Sequence, residues 1–237
     1  MFDAHVHLDF LSAAAVAEYV RRARGAGVAG FAIPGISMAQ WPIAARLAAS
    51  INGAAVWGCG VHPEHASQDP SEVAALIRCA KEQRPDFIGE TGLDARLEVE
   101  FSRRRQEELF VAHIDLAESL ELPLVVHSVR RHPRVLELLE GRSVSGMIHG
   151  FIGSTETAAD FFSRGWMLSA GRSAMRSPKT RRALVSAPLD RILLESDEPR
   201  EVSDVPEVVD WLSDARGVSR QIIAAQTHKN ALQLFGG

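Results

Sequence analysis

The chain has 237 residues, 46% of them hydrophobic and 24% charged, enough apolar material for a large core at an ordinary globular charge density. Its 26 basic and 30 acidic residues leave a formal charge of −4, which argues against a uniformly basic nucleic-acid coat protein and leaves local basic patches open. No apolar run approaches the roughly 18 residues of a membrane span, the opening Met1-Phe2-Asp3-Ala4-His5 has neither the basic stretch nor the apolar core of a signal peptide, and with Cys59 and Cys79 as the only cysteines the expected setting is reducing and cytoplasmic.

In chain order, short apolar runs alternate with helical patterns. The first run covers residues 2–5, and Ser12 then caps a helix through Val16, Tyr19, Val20 and Ala23 that stops at Gly25 and Gly27. Runs at 28–33, 54–59 and 87–90 follow. A long helix from about 102 to 120 carries Leu109, Ala112, Leu116 and Leu120 on one stripe. The runs at 124–127 and 146–149 flank a helix over 133–139. A helix over 155–162, a run at 166–169, a helix over 178–185 and a run at 191–195 come next, and helices around 205–214 and 220–234 close the chain. Eight strands in this rhythm predict an α/β fold, a single (β/α)8 TIM-like barrel spanning 1–237. A doubly wound open sheet would give the same alternation. The polar residues favour closure, because His5 and His7, Glu90, His127, His149 and Asp197 all end or follow strands, and in a barrel all such ends share one mouth.

These residues carry the chemistry. Side chains two apart on an extended segment point the same way, so both imidazoles of His5-Val6-His7 can reach one ion. Taken alone the pair reads equally well as two ordinary histidines at a strand exit. Glu90, within Ile88-Gly89-Glu90-Thr91-Gly92-Leu93-Asp94, ends an apolar strand, where a carboxylate is costly unless paired or metal-bound. The competing reading is an exposed loop charge, and Asp94 is a candidate supporting group behind a ligand. His127 and His149 end consecutive strands. Either alone would more often be a hydrogen-bonded interior histidine. Three acids crowd Glu195-Ser196-Asp197-Glu198, and a cation would relieve their repulsion. Asp197 is the better ligand candidate, with Glu195 free to line the barrel wall or orient a histidine. Four histidines and two carboxylates exceed one tetrahedral zinc site and suit two divalent metal ions (zinc, manganese or magnesium) bridged by Glu90. His62, in Gly60-Val61-His62-Pro63, is a candidate to touch phosphate or protonate a leaving group, or is simply a loop histidine. His113, His132 and His228 receive no role.

The motifs Phe2-Asp3-Ala4-His5-Val6-His7-Leu8-Asp9, Gly60-Val61-His62-Pro63, Ile88-Gly89-Glu90-Thr91-Gly92-Leu93-Asp94, Leu122-Pro123-Leu124-Val125-Val126-His127-Ser128, Ile148-His149-Gly150-Phe151-Ile152-Gly153-Ser154 and Leu193-Leu194-Glu195-Ser196-Asp197-Glu198-Pro199, in this order, resemble the TatD family of metal-dependent deoxyribonucleases, within the amidohydrolase-like barrels. The C-terminal Asn230-Ala231-Leu232-Gln233-Leu234-Phe235 also looks like the family's ending. The resemblance spans essentially the whole chain. It implies a TIM-like barrel, divalent metals and hydrolysis of DNA, often exonucleolytic. It maps the metal ligands onto His5, His7, Glu90 (bridging), His127, His149 and Asp197. The chain departs from the family at the rim: Gly150 follows His149 where Cys is common, Val129 precedes Arg130 after His127-Ser128, and Glu198-Pro199-Arg200 follow Asp197. These departures bear on substrate choice rather than on the ligands.

The expected activity is hydrolysis of a DNA phosphodiester by a metal-activated water, with Asp197, Glu90 and His62 as catalytic candidates. Basic residues follow several strands: Arg96, Arg130 and Arg131, Arg172, Arg176 and Lys179, and Arg200. They predict a cationic collar, with Arg130, Arg172 and Arg200 as phosphate contacts. Arg181 and Arg182 read better as solvated helix charges. Phe151 and Trp41 stand out as the aromatic residues of these loops, so extensive base stacking is not expected. Two rivals stand beside this reading. One is a hydrolase of an amide, lactone or aminoacyl ester on the same scaffold. Amide-cleaving relatives often bridge their metals with a carboxylated lysine on the fourth strand, where this chain has Glu90. The other is a nuclease subunit dependent on operon-encoded protein partners, as in an anti-phage defence system. No membrane partner is expected, and the sequence does not give the oligomeric state.

Overall fold

Eight strands run parallel in the order β1 to β8: Phe2–Asp3, Gly30–Gly35, Ala55–Cys59, Phe87–Asp94, Leu124–Val129, Gly146–Ile148, Met167–Ala170 and Ile192–Leu194. The computed structural model describes residues 1–51, 55–66, 69, 71–98 and 102–236. The third predicted strand began at Ala54, which lies outside the described residues, as does Gly237. Each strand pairs with its neighbour in sequence, and the first and last are joined beyond β1: Ala4 N–H donates to the Leu194 carbonyl (2.8 Å), Asp197 N–H to that of His5 (2.8 Å) and His7 N–H to that of Asp197 (3.0 Å). The sheet therefore closes as a barrel, as predicted, and not as an open doubly wound sheet.

Helices α1 (Ala13–Gly25), α2 (Trp41–Ser50), α3 (Ser71–Gln83), α4 (Arg103–Leu120), α5 (His132–Leu138), α6 (Thr155–Ser163), α7 (Arg172–Arg176), α8 (Pro178–Ser186), α9 (Val205–Arg216) and α10 (Arg220–Phe235) complete the described elements, with short 3-10 turns between. Ser12, Ser102, Ser154, Ser177 and Ser219 cap α1, α4, α6, α8 and α10 by accepting a backbone N–H three residues on. The sequence reading did not assign α2, α3 or α7. The alanine-rich α2 has little polar contrast, and α7 is a single turn and a half.

Strand alternation divides the core in two. Phe2, Ala4, Ala32, Phe87, Val125, Met147, Met167 and Leu193 fill the bore, joined from below by Ala231 and Phe235 of α10. Their neighbours Phe31, Ile33, Ile88, Leu124, Val126, Ile148, Leu168, Ile192 and Leu194 face outward into the helix layer. Phe235 stacks on Phe2 (centroids 5.9 Å) and tilts against Phe87 (5.3 Å), closing the bottom of the barrel. No helix among the described residues is long and apolar enough to cross a membrane.

Candidate metal centre

The bore's upper end is polar because the same alternation that buries Val125 and Met147 continues to His127 and His149. On β4 it would fail without a correction. Phe87 points into the bore, so strict alternation would turn Glu90 outward. The register against β5 instead runs Ile88 to Leu124 and then Thr91 to Val126, one extra residue on β4. This bulge switches the parity of the strand and brings Glu90 and Asp94 inward. Gly89 is required there: its φ is +134°, and a Cβ would meet the Val125 carbonyl oxygen at 2.5 Å.

Glu90 is the hub. Its Oε2 lies 3.3 Å from both His5 Nε2 and His7 Nε2. Its Oε1 faces His149 Nε2 at 2.8 Å, His127 Nδ1 at 3.0 Å and His62 Nε2 at 3.5 Å. Asp197 Oδ1 completes the first side, 3.8 Å from His5 Nε2 and His7 Nε2. Three overlapping sets, His5–His7–Glu90, His62–Glu90–His127 and His5–His149–Asp197, each bring possible ligand atoms within 4.8 Å of one another. All the histidines and Glu90 are buried, whereas the Asp197 side chain is 47% exposed and opens to the mouth. The six predicted ligands and His62 thus converge from six strand ends.

Carboxylates behind the histidines orient them. Asp94 Oδ2 sits 3.0 Å from His127 Nε2, fixing the proton on that nitrogen and leaving the Nδ1 lone pair to the cluster. Arg96 clamps Asp94 in turn (2.6 Å). Glu195 Oε2 lies 3.8 Å from His149 Nδ1 and accepts a short hydrogen bond from Ser169 Oγ, and Asp9 lies 3.8 Å from His7 Nδ1. This donor set, neutral imidazoles oriented by acids around a shared carboxylate, fits divalent cations. Without one, protons take the place of positive charge. Burial alone would lower His7 and His149. Asp9, Glu90 and Asp197 instead push His7 up to about 10, and Glu90 and Glu195 hold His149 well above the usual imidazole range. Burial would raise the Glu90 carboxyl, yet the charge of His149 and the hydrogen bond from His127 keep it well below the usual carboxylate range.

His62 behaves differently. Burial pushes it down to about 3 against the pull of Glu90, so it is neutral. Glu64 N–H donates to its Nδ1 (3.1 Å), which places its proton on Nε2, facing the cluster. It is therefore built as a hydrogen-bond donor rather than as a lone-pair ligand.

Several residues support the site in ways the sequence did not suggest. Trp41 is buried, and its indole N–H donates to the Gly60 carbonyl (2.7 Å). His113, given no role from the sequence, is fully buried and its Nε2 accepts Val61 N–H (2.9 Å). Together they hold the segment that presents His62. His132 ties Ser128 Oγ (2.6 Å) to the Ile152 carbonyl (3.1 Å). Asp3 accepts from Ser196 N–H (2.9 Å), Ser196 Oγ (2.6 Å) and Ser203 Oγ (2.9 Å), anchoring the loop that bears Asp197. The partners of these residues, Ser128 apart, are distant in sequence, so no local spacing reveals them.

The basic collar is partly neutralised. Arg172 faces Asp204 (3.9 Å) and Glu207 (3.4 Å), Arg200 faces Asp204 (3.7 Å), and Arg131 pairs with Glu98 (2.6 Å). Arg130 is exposed, and no acid among the described residues lies within ion-pair distance of it. Phe151 and Trp41, the loop aromatics noted in the sequence, are both core residues.

The sequence pattern of the family described as TatD related DNase matches residues 2–236. The chain belongs to the TatD related DNase family. It is 31% identical to the "3'-5' ssDNA/RNA exonuclease TatD" of Pantoea vagans over 99% of both chains. It is also 32% identical to the "uncharacterized metal-dependent hydrolase YcfH" of Escherichia coli K12, over 76% of this chain and 73% of that one. Among solved structures it superposes on the TatD homologue YJJV of Escherichia coli K12 with a TM-score of 0.90 and 25% identity, covering 100% of this chain and 98% of that one. The TatD fold and the enzyme class, a metal-dependent hydrolase, follow for this chain.

Proposed function

We propose that this TatD-family chain is a two-metal phosphodiesterase that removes nucleotides from the 3′ end of single-stranded DNA or RNA, the activity named for its Pantoea relatives. The observation that carries the two-metal reading is the division of labour on Glu90: Oε2 faces His5 and His7 at 3.3 Å, while Oε1 faces His149 at 2.8 Å and His127 at 3.0 Å. His5, His7, Glu90 and Asp197 would hold one cation, and Glu90, His127 and His149 the other. Bound there, divalent ions would supply Lewis acidity and a nucleophilic water near neutral pH. The chain's own groups do the rest. Asp197, half exposed at the mouth, orients the attacking water and accepts its proton. His62 keeps its proton and donates a hydrogen bond from Nε2–H to the phosphoryl or leaving oxygen, stabilising the charge that develops there. Arg130, Arg172 and Arg200 receive flanking phosphates, Arg172 and Arg200 by exchanging Asp204 for substrate. Glu90 at the convergence point, rather than a lysine, favours phosphodiesters over amides.

The test is hydrolysis of 3′- and 5′-end-labelled single strands over a titration of manganese, magnesium and zinc. His127→Ala and Glu90→Ala are expected to abolish metal-dependent cleavage while circular dichroism reports an intact fold. Full activity in either variant would overturn the assignment.

A further inference from the structure

Phe10 follows the His-x-His motif in a 3-10 turn (Leu8–Phe10), and its ring stacks on His7 with centroids 4.9 Å apart and planes 14° from parallel. It is nevertheless 55% exposed, the one Phe, Tyr or Trp among the described residues that is. An exposed aromatic ring lacks a stabilising reason of its own, since leaving it in water forgoes most of its burial free energy. Its surroundings add to the anomaly. Of the seven large apolar side chains exposed among the described residues, Phe10, Met38, Ile152 and Val202 all sit on strand-to-helix loops that open at the mouth.

We propose that the free face of Phe10 is a stacking platform for a nucleobase next to the scissile phosphate, an inference that rests on the nuclease reading above. One face of the ring is taken by His7, whose other edge points at Glu90, so a flat group on the open face lies within one nucleotide of the cluster. A phosphate gains nothing from an uncharged ring. A flat, largely apolar base gains stacking, and because every base has such a face the contact is tolerant of sequence. Phe10 has no hydrogen-bonding group with which to choose among bases. It thereby supplies what the partly neutralised collar does not, a way to hold the strand end other than by charge.

The test compares a normal single strand with one carrying tetrahydrofuran abasic residues at its last two 3′ positions, cut by the metal-loaded wild type, Phe10→Leu and Phe10→Trp. Leucine keeps an apolar side chain against His7 and removes the ring. Metal content of each variant is measured alongside. Phe10→Leu is expected to raise KM on the normal strand about ten-fold, with kcat little changed, to cut the abasic strand as the wild type does, and to retain its metal. Phe10→Trp should preserve the preference for the normal strand. Equal losses on both strands, or no loss on either, would overturn the platform. If the wild type cuts neither strand, the nuclease reading falls separately. The platform is then judged by binding: quenching of the added indole in Phe10→Trp by the normal but not the abasic strand keeps it, and equal quenching removes it.

Discussion

His127 is held on both of its nitrogens, by Asp94 at 3.0 Å on one side and by Glu90 and His149 at 3.0 Å on the other. The two acids do different work. Glu90 belongs to the cluster itself, whereas Asp94 sets which imidazole nitrogen keeps its proton. Asp94→Asn is nearly isosteric and is expected to weaken metal affinity by about 10–100-fold without unfolding the barrel. Competition with a chelator of known affinity, together with thermal unfolding, checks both halves of that statement. Most of the cluster was legible in sequence because a histidine or glutamate ending an apolar strand stands out against its neighbours. The orienting groups were less legible. Asp94 lay close enough to Glu90 to be suspected, but Asp3, Trp41 and His113 act on backbone of distant segments, and nothing in their own flanks marks that.

At the level of elements, the buried imidazole of His113 ties α4 to the segment after β3. Burial pushes His113 down to about 4 from an ordinary 6.5. Its folded pKa is depressed, so the folded state resists the proton that the unfolded chain accepts. The penalty is absent above pH 6.5, grows as pH falls from 6.5 to about 4, and levels off below that, reaching at most ~3 kcal/mol. His113→Gln can still accept Val61 N–H and does not titrate. Urea unfolding across that pH range should show a shallower loss of stability in the variant than in the wild type, and parallel curves would contradict the account. The eight strands themselves were predicted, in the right order and nearly the right places, because each is an apolar run bounded by turn residues. The β4 bulge was not. Its one-residue slip leaves no mark on hydrophobic periodicity, yet Glu90 would face the helices without it. Phe10 was passed over for a similar reason, since burial separates it from Trp41 and Phe151 and sequence alone does not report burial.

For the molecule as a whole, Asp9, Glu90 and Glu195 draw positive charge to the mouth, and the proposed cations would supply it. In the absence of cations, His7 and His149 keep protons that divalent ions must displace. Cation affinity should therefore rise with pH, and removing the ions should loosen the whole barrel. A cation at about 100 times its dissociation constant stabilises the fold by about 2.7 kcal/mol. Scanning fluorimetry should show a clear drop in melting temperature on adding a chelator, restored by excess metal, and the drop should vanish in Glu90→Gln.

The barrel is zipped shut between its first and last strands by His5, His7 and Asp197, through the backbone bonds of 2.8 and 3.0 Å between them. The seam of the architecture and the rim of the cluster are the same few residues. On the ribosome, a growing chain that has already displayed His5, His7, Glu90, His127 and His149 still lacks the strand that completes the mouth. For a growing chain, closing the barrel and gathering the cluster are then one and the same late event.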